Sequence, residues 1–215
     1  MLLKHMSKSA LALAAFAITG TAFVALTFIL TKDQIAENER QAIMRNLSAL
    51  VPASQHDNDM FSDTTQLLNQ ELLGSKEPIT VYRARQQGLP VAAIFEAIAP
   101  DGYSGKIKLL IAIHDDGTVA GVRVVSHKET PGLGDSIEFD RSNWILSFDG
   151  RSLFNPTQPG WRVKKDGGIF DQFTGATITP RAIVKAVYNC LQFFSQYKDE
   201  VFVEKTTKVD GEQAS

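Results

Sequence analysis

One stretch near the N-terminus limits the possible folds of this chain more than any other feature. Residues 9–31 form a run of 23 residues without a charged side chain. As an α-helix at about 1.5 Å per residue, the run would be about 34 Å long, and the hydrocarbon core of a bilayer is about 30 Å thick. We therefore predict a transmembrane helix over residues 9–31, which makes the lipid bilayer one of the partners of the protein.

A cleaved signal peptide is the alternative to a retained helix. Signal h-regions usually run about 7–15 residues and end at a small-x-small cleavage site. The run in this chain is longer and ends in FILTKD, with bulky residues where small ones are needed. Lys4 and Lys8 precede the run, and an excess of Lys favours the cytoplasmic side. The sequence predicts a single-pass protein with residues 1–8 in the cytoplasm and the main domain outside it.

After the span, the pattern changes from helical to β near residue 79. We predict a membrane-proximal, mainly helical segment over residues 32–78, with one helix ending before Pro52 and a second over about 65–73. Four β-type runs follow, joined by short turn sequences such as DDG: ITVYRAR, VAAIFEAI, KIKLLIAI and VAGVRVVS. Successive strands with short connections favour an antiparallel meander.

The clearest helical pattern of the soluble part covers residues 180–197. Apolar residues recur at i, i+3, i+4, i+7, i+8 and i+11 from Ile183, as one stripe that includes Cys190. Thr179 is the predicted N-cap, and Pro180 suits the first helical position.

The predicted fold class is therefore α+β. It combines a single N-terminal transmembrane helix with an extracytoplasmic domain of antiparallel sheet and packed helices. The domain is expected over residues 79–200, followed by a flexible tail over residues 201–215.

Composition narrows the classes of function. The net charge is -2, with 22 basic and 24 acidic side chains, so nothing favours nucleic acid as a partner. The single cysteine, Cys190, cannot form an intramolecular disulfide, a CxxC pair or an iron–sulfur cluster. The histidines are scattered, which does not predict a metal site. If the protein moves electrons, the carrier must be organic, or a metal held by other ligands.

The segment that points most directly to a chemical function lies just before the predicted helix. It is DQFTGATIT, over residues 171–179. Gly175 and Ala176 leave the backbone open to close approach. The unsatisfied N–H groups of the helix start would stabilise a phosphate on a nearby hydroxyl. From these residues alone, a capped helix after a loop of small residues is the simpler interpretation. The cations near the loop are Arg181, Lys164 and Lys165.

These residues resemble the attachment motif of a family of covalently flavinylated proteins, Asp-x-x-Ser/Thr-Gly-Ala-Thr. The resemblance implies that a flavin transferase moves FMN from FAD onto Thr177, through a phosphoester. Thr179 offers a second hydroxyl and is the rival acceptor. The matching motif positions are Asp171, Thr174, Gly175, Ala176 and Thr177.

The resemblance extends along most of the chain. PDGYSGKIKLLIAI, SHKETPGLGD and VKKDGGIFDQFTGATITPRAIVKAV all look like the G subunits of Rnf or Rsx electron transport complexes. The C subunit of the sodium-translocating NADH:quinone reductase is similar in layout and flavin attachment. The resemblance implies an electron-relay subunit in a bacterial inner membrane, facing the periplasm. Its complex would link electron flow between ferredoxin and NAD to ion movement, with other membrane subunits and the flavin transferase as partners. No catalytic residue is implied.

A second loop, ETPGLGD over residues 129–135, has a restricted proline beside two glycines that allow close approach. By itself it predicts an ordinary turn. In the family this segment lies by the flavin. The resemblance therefore implies that it contains five cofactor-binding residues: Glu129, Thr130, Gly132, Leu133 and Gly134. Tyr103 is a further candidate for the wall of a flavin site, although a core or turn role is the simpler explanation.

Two other classes of function remain open from the sequence. One is a non-redox periplasmic binding or scaffold module, in which the TGAT loop is only a helix cap. The other is a hydrolase with Thr177 or Ser104 as nucleophile, for which His127 has no recognisable orienting partner.

Overall fold

The computed structural model describes residues 2–203, and the chain divides between residues 44 and 45 into two compact units. Helix α1 covers Leu2–Leu50. Its residues up to 44 belong to the first unit, and residues 45–50 belong to the second. From Ala10 onward it is long and apolar enough to cross a membrane, by length and composition. The hydroxyls of Thr19, Thr27 and Thr31 donate to carbonyls four residues earlier, so these polar groups are satisfied within the helix.

The second unit is built on a five-stranded antiparallel sheet whose spatial order follows the chain. The strands are β1 Thr64–Leu67, β2 Ile79–Gln86, β3 Leu89–Ala99, β4 Ile107–His114 and β5 Val119–Ser126. The predicted meander is confirmed for β2 to β5. The DDG sequence is the predicted turn between β4 and β5, where the His114 N–H donates to the Thr118 carbonyl at 2.8 Å.

The helix expected over residues 65–73 is wrong in its first half. Residues 64–67 pair with β2, in a register that places Thr65 opposite Val81. Helix α2 covers only Gln70–Leu73 and ends at Gly74 in a left-handed conformation, φ 73°. Pairing with β2 satisfies the backbone groups on the side of β1 that faces β2. No local sequence pattern predicts that pairing. The sheet thus begins before the predicted boundary at residue 79.

Helix α3, Ile178–Phe202, packs on the sheet and buries the predicted stripe. Cys190 has no exposed surface, and its burial raises the pKa of its thiol, so its core role is confirmed. At Tyr197 the backbone leaves helical geometry, with φ -124° and ψ 22°. The predicted end of the helix is therefore a kink, and the helix continues to Phe202. The predicted tail lies, from residue 204 onward, outside the described residues.

Between β5 and α3 the chain is irregular, with four short 3-10 helices: Gly134–Ile137, Asn143–Phe148, Gln158–Gly160 and Lys164–Asp166. A cluster of Phe148, Trp161 and Phe170 anchors this segment in the core. The ring centroids lie 4.7 Å apart for Phe148 and Phe170, and 5.3 Å apart for Trp161 and Phe170. The cluster fixes the segment that precedes the motif loop.

Candidate functional site

A cavity of about 340 Å³ lies where the two loops singled out in the sequence meet the start of α3. We call it the loop cavity. It brings eight of the eleven predicted cofactor-binding residues together, and Tyr103 and Ile178 complete its wall. The eight are Glu129, Thr130, Leu133, Gly134, Gly175, Ala176, Thr177 and Thr179.

The other three predicted residues lie outside this lining. Gly132 has a left-handed backbone with φ 77° and open space around it, and Thr174 is exposed. Asp171 is also exposed, and its Oδ1 lies 2.6 Å from Nζ of Lys164. The Asp171 carbonyl accepts a hydrogen bond of 2.8 Å from Nε1 of Trp144. Asp171 therefore contributes to the conformation of the motif loop rather than to the cavity wall.

The two rival hydroxyls have different environments. Thr179 is not the N-cap that the sequence predicted, because α3 begins at Ile178, two residues before the predicted first helical residue, Pro180. Its side chain has no exposed surface and donates its hydroxyl to Oε2 of Glu129. Thr177 occupies the N-cap position without a side-chain capping bond, and it is half-buried on the cavity wall. Of the two threonines, only Thr177 has surface open to solvent.

Glu129 connects the segments that form the loop cavity. Its side chain is 4% exposed, and its Oε1 accepts a hydrogen bond of 3.0 Å from the backbone N–H of Ser104. Its other oxygen holds Thr179 at the start of α3. A Cβ added at Gly134 would lie only 2.8 Å from Cβ of Glu129. The glycine is therefore required for this carboxylate to reach its partners.

His127 has the partner that sequence reasoning missed. Its Nε2 lies 2.7 Å from Oε1 of Glu138, and its Nδ1 accepts a hydrogen bond of 3.0 Å from the backbone N–H of Glu129. Both ring nitrogens are engaged, so neither is free to take a proton from Ser104 or Thr177. The hydrolase hypothesis thus gains no general base. Glu138 follows His127 by eleven residues, and no motif connects them.

Two of the three cations expected near a phosphate are paired with carboxylates. Arg181 donates to both carboxylate oxygens of Asp166, at 2.5 and 2.6 Å, and these hydrogen bonds hold the pKa of Asp166 below its usual range. Lys164 pairs with Asp171. Neither they nor Lys165 line the loop cavity, whose one charged lining side chain among the described residues is Glu129.

A second cavity, of about 490 Å³, follows one face of α3, and we call it the helix groove. Its apolar wall is formed by Trp161, Val163, Val184 and Tyr188. The rest of its lining consists of long polar side chains, without a serine, threonine or glycine from the part of the chain that the structure describes: Gln158, Arg162, Asp166, Arg181 and Lys185. Sequence reasoning gave no sign of this groove.

The loop cavity has the chemistry that a flat ring joined to a phosphate requires. Tyr103, Leu133 and Ile178 present large apolar surfaces that are 68%, 44% and 45% exposed. Gly175, with φ 82°, allows the motif loop to turn close to Leu133. The volume falls within the usual range for ligand cavities, about 300–1,000 Å³. The residues present therefore fit a flavin attached at Thr177.

Comparisons with known proteins match two regions of the chain. Residues 1–50 match the RnfG N-terminal region, and residues 102–192 match the FMN-binding domain. The chain is 48% identical to the G subunit of the ion-translocating oxidoreductase complex of Aliivibrio fischeri, over 93% of this chain and 95% of that protein. It is 46% identical to the same protein of Vibrio cholerae, again over 93% and 95%. For that of Shewanella baltica the identity is 48%, over 92% and 93%. The chain thus belongs to the family of G subunits of ion-translocating oxidoreductase complexes.

Proposed function

We propose that this protein is a membrane-anchored electron-transfer subunit that carries FMN covalently, as a phosphoester of Thr177. The match to the FMN-binding domain covers residues 102–192 and so includes every residue that lines the loop cavity. The names of the relatives supply the context of an ion-translocating oxidoreductase complex.

The choice of Thr177 as the flavin acceptor rests on the different environments of Thr177 and Thr179. A hydroxyl that receives a phosphoryl group must be reachable by the enzyme that delivers it. Thr179 is fully buried and bonded to Glu129, whereas Thr177 lies half-buried on the wall of the cavity. Attachment at Thr177 leaves the Glu129–Thr179 contact intact, and attachment at Thr179 would break it.

FMN supplies one- and two-electron redox chemistry, and the protein supplies attachment, orientation and local charge. The free N–H groups at the start of α3 would face the phosphate and stabilise it. Tyr103, Leu133 and Ile178 would cover part of the ring and exclude water from it. No general acid or base is required, and Thr177 is an attachment point rather than a catalytic residue.

The same proposal extends to the location and partners. The lysines before the span favour a cytoplasmic N-terminus, so the FMN domain would face the periplasm from the bacterial inner membrane. A flavin transferase would load it there, and other subunits of an Rnf-type complex would exchange electrons with it on a route between ferredoxin and NAD. A covalent link prevents loss of FMN in a compartment where free flavin is not readily replaced.

The test is in-gel flavin fluorescence of the denatured full chain after co-expression with a flavin transferase. Wild type should fluoresce, and its intact mass should increase by the mass of one FMN less one water, because the phosphoester forms with net loss of water. Thr177→Val removes the hydroxyl while preserving shape and should be dark yet folded. Thr179→Val should remain fluorescent. A fluorescent Thr177 variant beside a dark Thr179 variant would move the attachment site by two residues. A dark wild type with an active transferase would favour the non-redox scaffold module.

A further inference from the structure

We propose that Glu129 is a positioning residue that also sets the redox potential of the bound flavin. Its buried carboxylate keeps the loop cavity negatively charged, and this charge lowers the midpoint potential. The inference rests on the proposed function and goes further, because it assigns a role to a side chain that need not touch the flavin to act.

The first support is the charge of the cavity wall. Of the side chains that line the loop cavity in the described part of the chain, Glu129 alone carries a charge. Both of its oxygens accept hydrogen bonds, from the Ser104 N–H and the Thr179 hydroxyl. Hydrogen bonds donated to a carboxylate favour its ionised form.

The second support is the absence of a compensating cation in that wall, among the residues that the structure describes. The donors to Glu129 are an amide and a hydroxyl, which solvate the charge without cancelling it. His127 accepts the Glu129 backbone N–H at Nδ1, so that nitrogen carries no proton in this arrangement. Lys128 is exposed and does not line the cavity. Three other basic side chains of the neighbouring segments are paired elsewhere: Arg181 with Asp166, Lys185 with Asp101, and Arg141 with Asp135 and Glu138.

The physical consequence follows from the position of the charge. Glu129 is 4% exposed, and interactions of a buried charge are screened less by water than those of a surface charge. Reduction adds electrons to the flavin ring, so a fixed negative charge at the wall opposes it. Removal of that charge should make reduction easier, which raises the midpoint potential.

The direct test is Glu129→Gln in the flavinylated full chain. The amide keeps the shape, with its oxygen accepting from Ser104 and its NH₂ group donating to the Thr179 oxygen. We expect a more positive midpoint potential by spectroelectrochemical titration, with a melting temperature close to that of wild type. Glu96→Gln is the matched control, because Glu96 is also hydrogen-bonded, to Tyr82 at 2.7 Å, but lies outside the cavity lining. Its potential should not change.

A second pair of variants tests the same charge effect without altering Glu129. Leu133 lines the cavity and is 44% exposed, so Leu133→Lys would place a cation at the rim. Leu133→Met provides an unbranched side chain without the charge. The lysine variant should have the more positive potential of the two. This pair measures whether a charge at the cavity wall shifts the potential, so that premise of the inference stays testable if Glu129→Gln does not fold.

Equal potentials in wild type and Glu129→Gln, or in the two Leu133 variants, would overturn the inference. A folded Glu129→Gln protein that takes up no flavin would also overturn it, since the carboxylate would then serve attachment. Absence of covalent flavin from wild type is a different result, because it overturns the proposed function itself.

Discussion

The loop cavity and the helix groove both use residues of α3, but they differ in what lines them. The groove is the larger, at about 490 Å³ against about 340 Å³. Its wall combines packed aromatic and aliphatic side chains with polar and charged ones, and its Arg181 and Asp166 form an ion pair with each other. The loop cavity has small residues, threonine hydroxyls and a buried carboxylate.

Under the proposed function, size alone does not identify the flavin cavity of this domain. A covalently held cofactor needs an accessible acceptor group and close approach to the backbone, and of the two cavities only the loop cavity combines them. Side chains of the groove should therefore affect stability without affecting flavin, whereas removal of the proposed acceptor hydroxyl in the loop cavity should abolish flavin attachment without unfolding the domain.

The largest effect on stability is expected in the groove, from Trp161→Ala. Trp161 is 5% exposed and packs on Phe148, Phe170 and Tyr188, so truncation should cost about 3–5 kcal/mol of unfolding free energy. Flavin per folded molecule should stay as in wild type, measured by absorbance after separation from unfolded protein. Trp161→Phe is the control and should lose much less stability. Selective loss of flavin from folded protein would contradict the division between the two cavities.

Thr179→Val should have the next largest effect on stability. It leaves Oε2 of Glu129 without its donor, and a hydrogen bond to a charged group contributes about 1.5–3 kcal/mol. Thr130 also lines the cavity but is exposed, so Thr130→Val should change stability by no more than about 0.5 kcal/mol. Urea denaturation of both variants checks the prediction. Equal losses would indicate that the Glu129–Thr179 contact does not hold the cavity together.

Gly134→Ala and Gly132→Ala separate steric conflict from backbone strain in one loop. The alanine Cβ at residue 134 would meet Glu129, and such overpacking costs about 1–3 kcal/mol. At residue 132 the surroundings are open and φ is 77°, so the left-handed conformation alone should cost about 1–2 kcal/mol. Only the residue 134 variant should also lose covalent flavin fluorescence. Retention of full fluorescence in that variant would show that flavin attachment does not need a glycine at residue 134 of the cavity wall.

The smallest effect is expected from Arg181→Gln in the groove. Without the guanidinium hydrogen bonds, the lowered pKa of Asp166 should rise towards its usual value, measured by NMR titration of the carboxyl group. Because the folded-state pKa is lowered, the stabilisation by the pair is present above the unfolded-state pKa. It is lost as the pH falls through the folded-state value, so the two proteins should converge in stability at acidic pH. Flavin content should be unchanged, and a clear loss would make Arg181 a phosphate ligand after all.

The regular elements were predictable because their signals are local. Strands β2 to β5 follow from apolar runs separated by turn sequences, and the buried stripe of α3 follows from its spacing. Strand β1 was not predictable, because its pairing with β2 decides its conformation and its own sequence allows a helix.

The loops of the candidate site were predicted from a motif, but their contacts were not. The cap assigned to Thr179 was wrong because Glu129, 50 residues earlier in the chain, competes for the hydroxyl. The Glu138 partner of His127 and the Asp166 partner of Arg181 are likewise tertiary contacts. Spacing in a sequence cannot reveal which of several carboxylates will reach a given donor.

The order of the strands has a consequence for the timing of maturation. Each strand pairs with its neighbour in the chain, so the sheet can assemble from contacts that are local in sequence, which favours rapid folding. The bond between Glu129 and Thr179 spans 50 residues and requires the start of α3, which follows the sheet in the chain. We therefore expect the sheet to form first and the proposed acceptor, Thr177, to reach its final surroundings last, so that under the proposed function a modifying enzyme would meet the motif loop on an already folded sheet.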